Sequence, residues 1–115
     1  MYLLAGDELV LGPDVGEPTT HTRIAVGRGV CGTAVATGEN QLVADVTELD
    51  NYLACSTSTR SEIVVLIRYH GSVVGQFDVD SDAPSAFGPS DEALLEDLAE
   101  LAAPRCATLA QAAAG

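Results

Sequence analysis

The chain predicts an α+β fold: a single domain over residues 1–115, with a central antiparallel sheet flanked by helices. Three observations carry this. Two runs rich in Val and Ile, Glu62 to Tyr69 and Ser72 to Asp80, flank His70-Gly71, the pattern of a tight hairpin. A Leu- and Ala-rich segment after Gly88-Pro89 carries apolar residues at helical spacing. Short apolar runs near the N-terminus are divided by Gly and Pro, as strands and turns are.

Taken in order, Tyr2-Leu3-Leu4 and Glu8 to Leu11 read as strands around a turn at Ala5-Gly6-Asp7. Gly12 to Pro18 is a loop by its Gly and Pro content, and Thr20 to Ile24 alternates as a strand does. Gly27 to Ala34 is a glycine turn running into small residues, so a short helix is expected over Gly32 to Thr37, stopped at Gly38. Gln41 to Val43 is a short strand. Asp45 to Ser61 is polar and turn-rich, and a connection of that length suggests a functional loop. After the hairpin, Ser90 is the expected N-cap of the last helix, with Asp91 and Glu92 in its first turn. Leu94, Leu98, Leu101 and Ala102 form its apolar stripe, Pro104 is expected to kink or restart it, and Ala110 to Gly115 to fray.

Five Arg, no Lys and 17 acidic residues give a formal charge of −12. A phosphate backbone or an anionic membrane surface would be repelled, so nucleic-acid and membrane binding are not expected. With 47% hydrophobic residues the chain has a core to bury, yet no apolar run approaches a membrane span. The first residues lack the basic and apolar stretches of a signal peptide, so a cytoplasmic protein is expected. The odd set Cys31, Cys55 and Cys106 argues against a structural disulfide framework, and no Cys/His spacing suggests a metal or another cofactor.

Four features are unusual for plain packing. Cys31 lies in a Gly-rich turn leading into a helix, where a thiolate is favoured, although Cys is also a common small core residue. Cys55 lies in the polar loop, where a thiol is accessible. Asp78 and Asp80 stand two apart on a strand and so share a face, with Phe77 and Val79 turned to the core. Two such carboxylates repel, which raises one pKa if they are partly buried; a solvated sheet face is the plainer alternative. Glu62 opens an apolar strand directly after the Cys55 loop, where a strand-end charge in water is the default. His70 reads as a turn residue and His21 as a surface one.

These residues together resemble a known family. Gly27-Arg28-Gly29-Val30-Cys31-Gly32-Thr33-Ala34 resembles its G-[KR]-G-V-C-G-T-A motif. Ala54-Cys55 through Ser61-Glu62-Ile63-Val64 is similar to A-C-x6-S-E-I-V, and Phe77-Asp78-Val79-Asp80-Ser81 to [LF]-D-[IV]-D-S. The family is the free methionine-(R)-sulfoxide reductases, a branch of the GAF domains. The resemblance implies a GAF-like fold and a Cys55 nucleophile. Cys55 would attack the sulfoxide sulfur, release methionine and become a sulfenic acid; a second thiol would form a disulfide, and thioredoxin would reduce it. Glu62, Asp78 and Asp80 would be the pocket carboxylates: Glu62 and Asp80 nearer the sulfoxide oxygen, Asp78 nearer the substrate ammonium.

The chain departs from the family pattern at two places. The position ten residues before Cys31, where the family has a resolving thiol, holds His21. Resolution is therefore expected to fall to Cys31 or to an external thiol, with Cys106 a packing residue. The family's N-terminal helices and the first strand, which carries a pocket-lining Trp, are expected to be largely absent, and Tyr2 retains an aromatic at the pocket. The sheet edge so exposed is expected to be covered in a homodimer. A catalytically inactive GAF-type module that only binds a small ligand is the alternative function, and a purely structural domain a third.

Overall fold

The computed structural model describes residues 1–16, 19–49 and 58–114. Among these residues, six strands and two helices follow one another: β1 (Tyr2–Ala5), β2 (Glu8–Leu11), β3 (Arg23–Ala25), α1 (Gly29–Thr37), β4 (Gln41–Val43), β5 (Ser61–Tyr69), β6 (Ser72–Ser81) and α2 (Pro89–Ala114), with a 3-10 turn at Val46–Glu48 before β5. These strands pair antiparallel in one sheet of order β3-β2-β1-β6-β5-β4. The predicted α+β class holds.

The β5–β6 hairpin turns at His70 and Gly71, both at positive φ (51° and 80°), the conformation that a two-residue hairpin turn requires. Tyr69 faces Ser72 at its closed end, and Glu62 faces Asp80 at its open end. β1 meets β6 through Tyr2↔Gln76 and Leu3↔Gly75 and is flanked by β2 on its other side. The edge strands among the described residues are therefore β3 and β4, not β1.

Both faces of the sheet are covered. On one face α1 packs Val30, Cys31 and Ala34 against Tyr2, Leu9, Ile24, Val64 and Leu66. On the other, α2 packs Ala99, Ala103, Cys106 and Ala110 against Leu3 and Ile67, with Phe77 partly buried among them. The alternation along β6 is thus confirmed, but the expected assignment of a core face and a wet face is not. Phe77 meets the α2 core, Val79 is exposed at the strand's end, and the Asp78 side lies on the α1 side.

Three helix details differ from expectation. α1 begins at Gly29, three residues early, because Gly32 N–H already bonds the Arg28 carbonyl (2.9 Å); it ends at left-handed Gly38 as expected. α2 starts at Pro89 rather than after a Ser90 cap, with the Asp91 carboxylate accepting from Gly88 N–H at 2.8 Å. It runs unbroken through Pro104 to Ala114. The buried stripe of α2 is also not the leucine one: Leu94, Leu98 and Leu101 are 59%, 43% and 80% exposed. Small side chains at Ala99, Ala103, Cys106 and Ala110 let the helix sit close on the sheet, and that choice turns the leucines outward. Cys106 is packed in this layer, as expected.

Candidate active site

The site lies at the open end of the hairpin on the α1 face. The start of β5 is tied down first. Val46 N–H bonds the Arg60 carbonyl (2.8 Å), and Arg60 N–H bonds the Ser81 carbonyl (2.7 Å). The Ser61 hydroxyl donates to the Ala83 carbonyl at 2.6 Å. Glu62 is therefore presented from a fixed backbone, and it is only 3% exposed. A carboxyl this deep is unusual unless partnered, and its neighbours supply the reason. Asp80 stands opposite it in the register and hydrogen bonds its side chain.

Cys31 comes from the opposite layer. It occupies the first turn of α1, 4% exposed, with its Sγ directed at Glu62 Oε2 at 3.9 Å. Gly32 makes this approach possible. A Cβ there would lie 2.6 Å from the Ala25 carbonyl oxygen, and its own N–H and C=O bond Arg28 and Gly27. Asp78 completes the group: Cys31 Sγ, one Glu62 oxygen and one Asp78 oxygen all lie within 4.8 Å of one another. The two carboxylates offer acceptors that can hold an ammonium group, with the thiol beside them. No sequence spacing announces this set, because its members sit on α1, β5 and β6.

The electrostatics are those of a cation or proton site. Asp78 Oδ1 is buried with no hydrogen-bond partner among the described residues, an acceptor lacking a donor. Asp80 lies at the mouth, exposed as a residue. Desolvation of its carboxyl, and then the charge of Asp78, push its pKa up to about 7, while the hydrogen bond to Glu62 pulls the other way. The raised member of the expected carboxylate pair is thus Asp80. Asp78, Asp80 and Val79 line a cavity of about 850 Å³, together with Ser58 and Thr59, the first described residues after the Cys55 segment. A smaller recess of about 80 Å³ shares Asp78 and Asp80 and is bordered by Tyr2.

The structure thus brings Cys31, Glu62, Asp78 and Asp80 together. Tyr2 borders the recess, but its ring is part of the α1-side core and its hydroxyl donates to the His21 carbonyl at 2.8 Å. Cys55 lies outside the described residues. One residue escaped the sequence reading. Gln76 is 0% exposed, and its Nε2 donates to the Cys31 carbonyl at 3.0 Å. A polar residue two before Asp78, hence on its face, was the available signal.

The GAF domain family pattern matches residues 2–105. The chain is 43% identical over 97 residues to the free methionine-R-sulfoxide reductase of Escherichia coli, covering 84% of this chain and 58% of that protein. Among solved structures it is similar to the type II free methionine-R-sulfoxide reductase from Thermoplasma acidophilum: TM-score 0.88 and 44% identity, covering 91% of this chain and 74% of that one. The free methionine-R-sulfoxide reductase from Neisseria meningitidis in complex with its substrate is similar at a TM-score of 0.84 and 38% identity, covering 97% and 67%. The chain spans just over half the length of the curated relatives it matches. On the match over residues 2–105 and this shared architecture, the chain belongs to the GAF domain family.

Proposed function

We propose that this chain reduces free methionine-(R)-sulfoxide to methionine. The observation that carries the reading is the convergence of Cys31, Glu62 and Asp78 within 4.8 Å, with Asp80 beside them at a cavity. Those are the positions that the three sequence motifs supply, in a chain similar to proteins named for this activity. The Asp78 oxygen that lacks a partner among the described residues accepts from the substrate ammonium, a group that a methionine residue within a peptide lacks. Asp80, half protonated near neutrality, gives its proton to the sulfoxide oxygen, with Glu62 hydrogen bonded behind it.

Cys55 supplies the attacking thiolate. An S–S bond to the substrate sulfur does not persist: the oxygen passes to Cys55, methionine leaves, and Cys55 becomes a sulfenic acid. The Cys31 thiol then attacks the Cys55 sulfur. The S–O bond breaks, the hydroxyl leaves as water with a proton, and a Cys31–Cys55 disulfide forms. A dithiol reductant of the thioredoxin class restores both thiols. We further assign the protein to the cytoplasm as a homodimer. Support for the first is the reducing milieu that this thiol chemistry needs, and for the second the exposed leucines of α2.

The test is methionine release with dithiothreitol as reductant from free (R)-sulfoxide, free (S)-sulfoxide and a peptide-bound (R)-sulfoxide. Turnover of the free (R) form alone is expected. Binding of the free amino acid without any methionine release would instead assign an inactive ligand-binding module.

A further inference from the structure

Gln76 is a poor choice for the place it occupies. It sits mid-strand in β6, with Tyr2 opposite on β1 and Leu66 opposite on β5, and is 0% exposed. Its Oε1 is buried with no hydrogen-bond partner among the described residues. An unsatisfied buried acceptor costs stability, and an apolar side chain of the same length would pack without that cost. What Gln76 supplies in exchange is one donor: Nε2 to the carbonyl of Cys31, 3.0 Å away.

Two neighbouring backbone bonds hold the Cys31 turn from its far side. Gly27 N–H bonds the Gly32 carbonyl (2.8 Å), and Gly32 N–H bonds the Arg28 carbonyl (2.9 Å). Both fasten the turn to the loop ahead of α1. Gln76 fastens the same turn to the sheet below. We propose that Gln76 is a positioning residue for Cys31, fixing the first turn of α1 over β6 so that Sγ stays at the carboxylates. Its functional effect rests on the reading above, in which Cys31 resolves the Cys55 sulfenic acid. That step depends on how often the thiol stands in line with the Cys55 sulfur, so a fixed first turn accelerates it, whereas methionine release does not use Cys31.

The test uses the full chain with Cys106→Ser, so that only two thiols remain. Methionine release, loss of free thiols after one turnover, and thermal melting are measured for this parent and for its Gln76→Met and Gln76→Glu variants, with Cys31→Ser alongside. For Gln76→Met the expected result is unchanged methionine release, disulfide formation slowed about five-fold, as for loss of one net hydrogen bond, and an equal or higher melting temperature. Around position 76 the titratable groups are Tyr2 on β1, Cys31 on α1 and Asp78 on the same strand. In Gln76→Glu the introduced carboxyl, while protonated, still donates to the Cys31 carbonyl. That variant therefore matches the parent at low pH and falls to the Gln76→Met rate as the carboxyl ionises. Disulfide formation at the parent rate in Gln76→Met overturns the inference. So does a parallel fall of both steps with the melting temperature, which marks a packing role only. If Cys31→Ser in a chain that keeps Cys106 leaves disulfide formation intact, the resolving role of Cys31 itself fails, a result distinct from either.

Discussion

Asp80 makes the account quantitative, because its carboxyl is poised at about pH 7 while an ordinary Asp ionises near 3.8. In the proposed role of proton donor to the sulfoxide oxygen, it must be protonated to act. The protonated fraction is then roughly 90% at pH 6, 50% at pH 7 and 10% at pH 8. Divided by the thiolate fraction of Cys55, titrated separately by alkylation, the single-turnover rate, measured by rapid quench and methionine quantification, should therefore lose about ten-fold per pH unit above 7. Asp80→Asn removes that limb and lowers the rate by about 10²-fold or more at pH 6, where the acid is most useful. The sign for stability runs the same way. A carboxyl whose folded pKa is raised binds its proton more tightly in the native state, so the native state loses stability as pH rises from about 4 to about 7. Asp80→Asn should accordingly melt higher than the parent at pH 8 and close to it at pH 4. A thiolate-corrected rate flat to pH 8.5, or a high-pH limb that survives in Asp80→Asn, would refute the assignment of the acid.

Three further outcomes test the geometry. Asp78→Asn puts an amide in place of the carboxyl whose Oδ1 has no partner among the described residues, and should raise KM for the free amino acid about 10–100-fold, with a smaller effect on kcat, read from steady-state kinetics. Gly32→Ala forces a Cβ against the Ala25 carbonyl oxygen at 2.6 Å and should cost about 2 kcal/mol in denaturant unfolding. On α2, Ala103→Leu should cost about 1–3 kcal/mol in denaturant unfolding, because the buried stripe is the alanine one, whereas Leu101→Glu should leave the fold of the single chain intact and weaken only the proposed dimer, read by size-exclusion chromatography.

That last contrast shows where sequence reasoning stopped. The hairpin was legible because its turn residues and its alternating strands agree on one register, and that register alone puts Asp78 and Asp80 on one face. The stop of α1 at Gly38 was legible for a local reason, its left-handed φ. The face of α2 was not. Its leucines are more hydrophobic than its alanines, but how near the helix comes to the sheet decides which stripe is buried, and only the assembled layers set that distance. The site was legible as a set of residues through its motifs, but not as an arrangement. Cys31 reaches Glu62 across 31 positions of sequence, and Gln76 reaches Cys31 across 45. Contacts between layers leave no spacing rule in the chain. The contact of Gln76 with Cys31 was illegible for that reason, as was the grouping of Cys31, Glu62 and Asp78 from α1, β5 and β6.

The most direct test of the central claim leaves Cys55 as the sole thiol. Pre-reduced Cys31→Ser, Cys106→Ser protein is mixed with one equivalent of free methionine-(R)-sulfoxide and no reductant. Methionine is counted, and dimedone labelling is located by mass spectrometry. The account predicts close to one methionine per chain and a dimedone adduct on Cys55, with no second turnover. Absence of methionine, or methionine released without an adduct on Cys55, would contradict it.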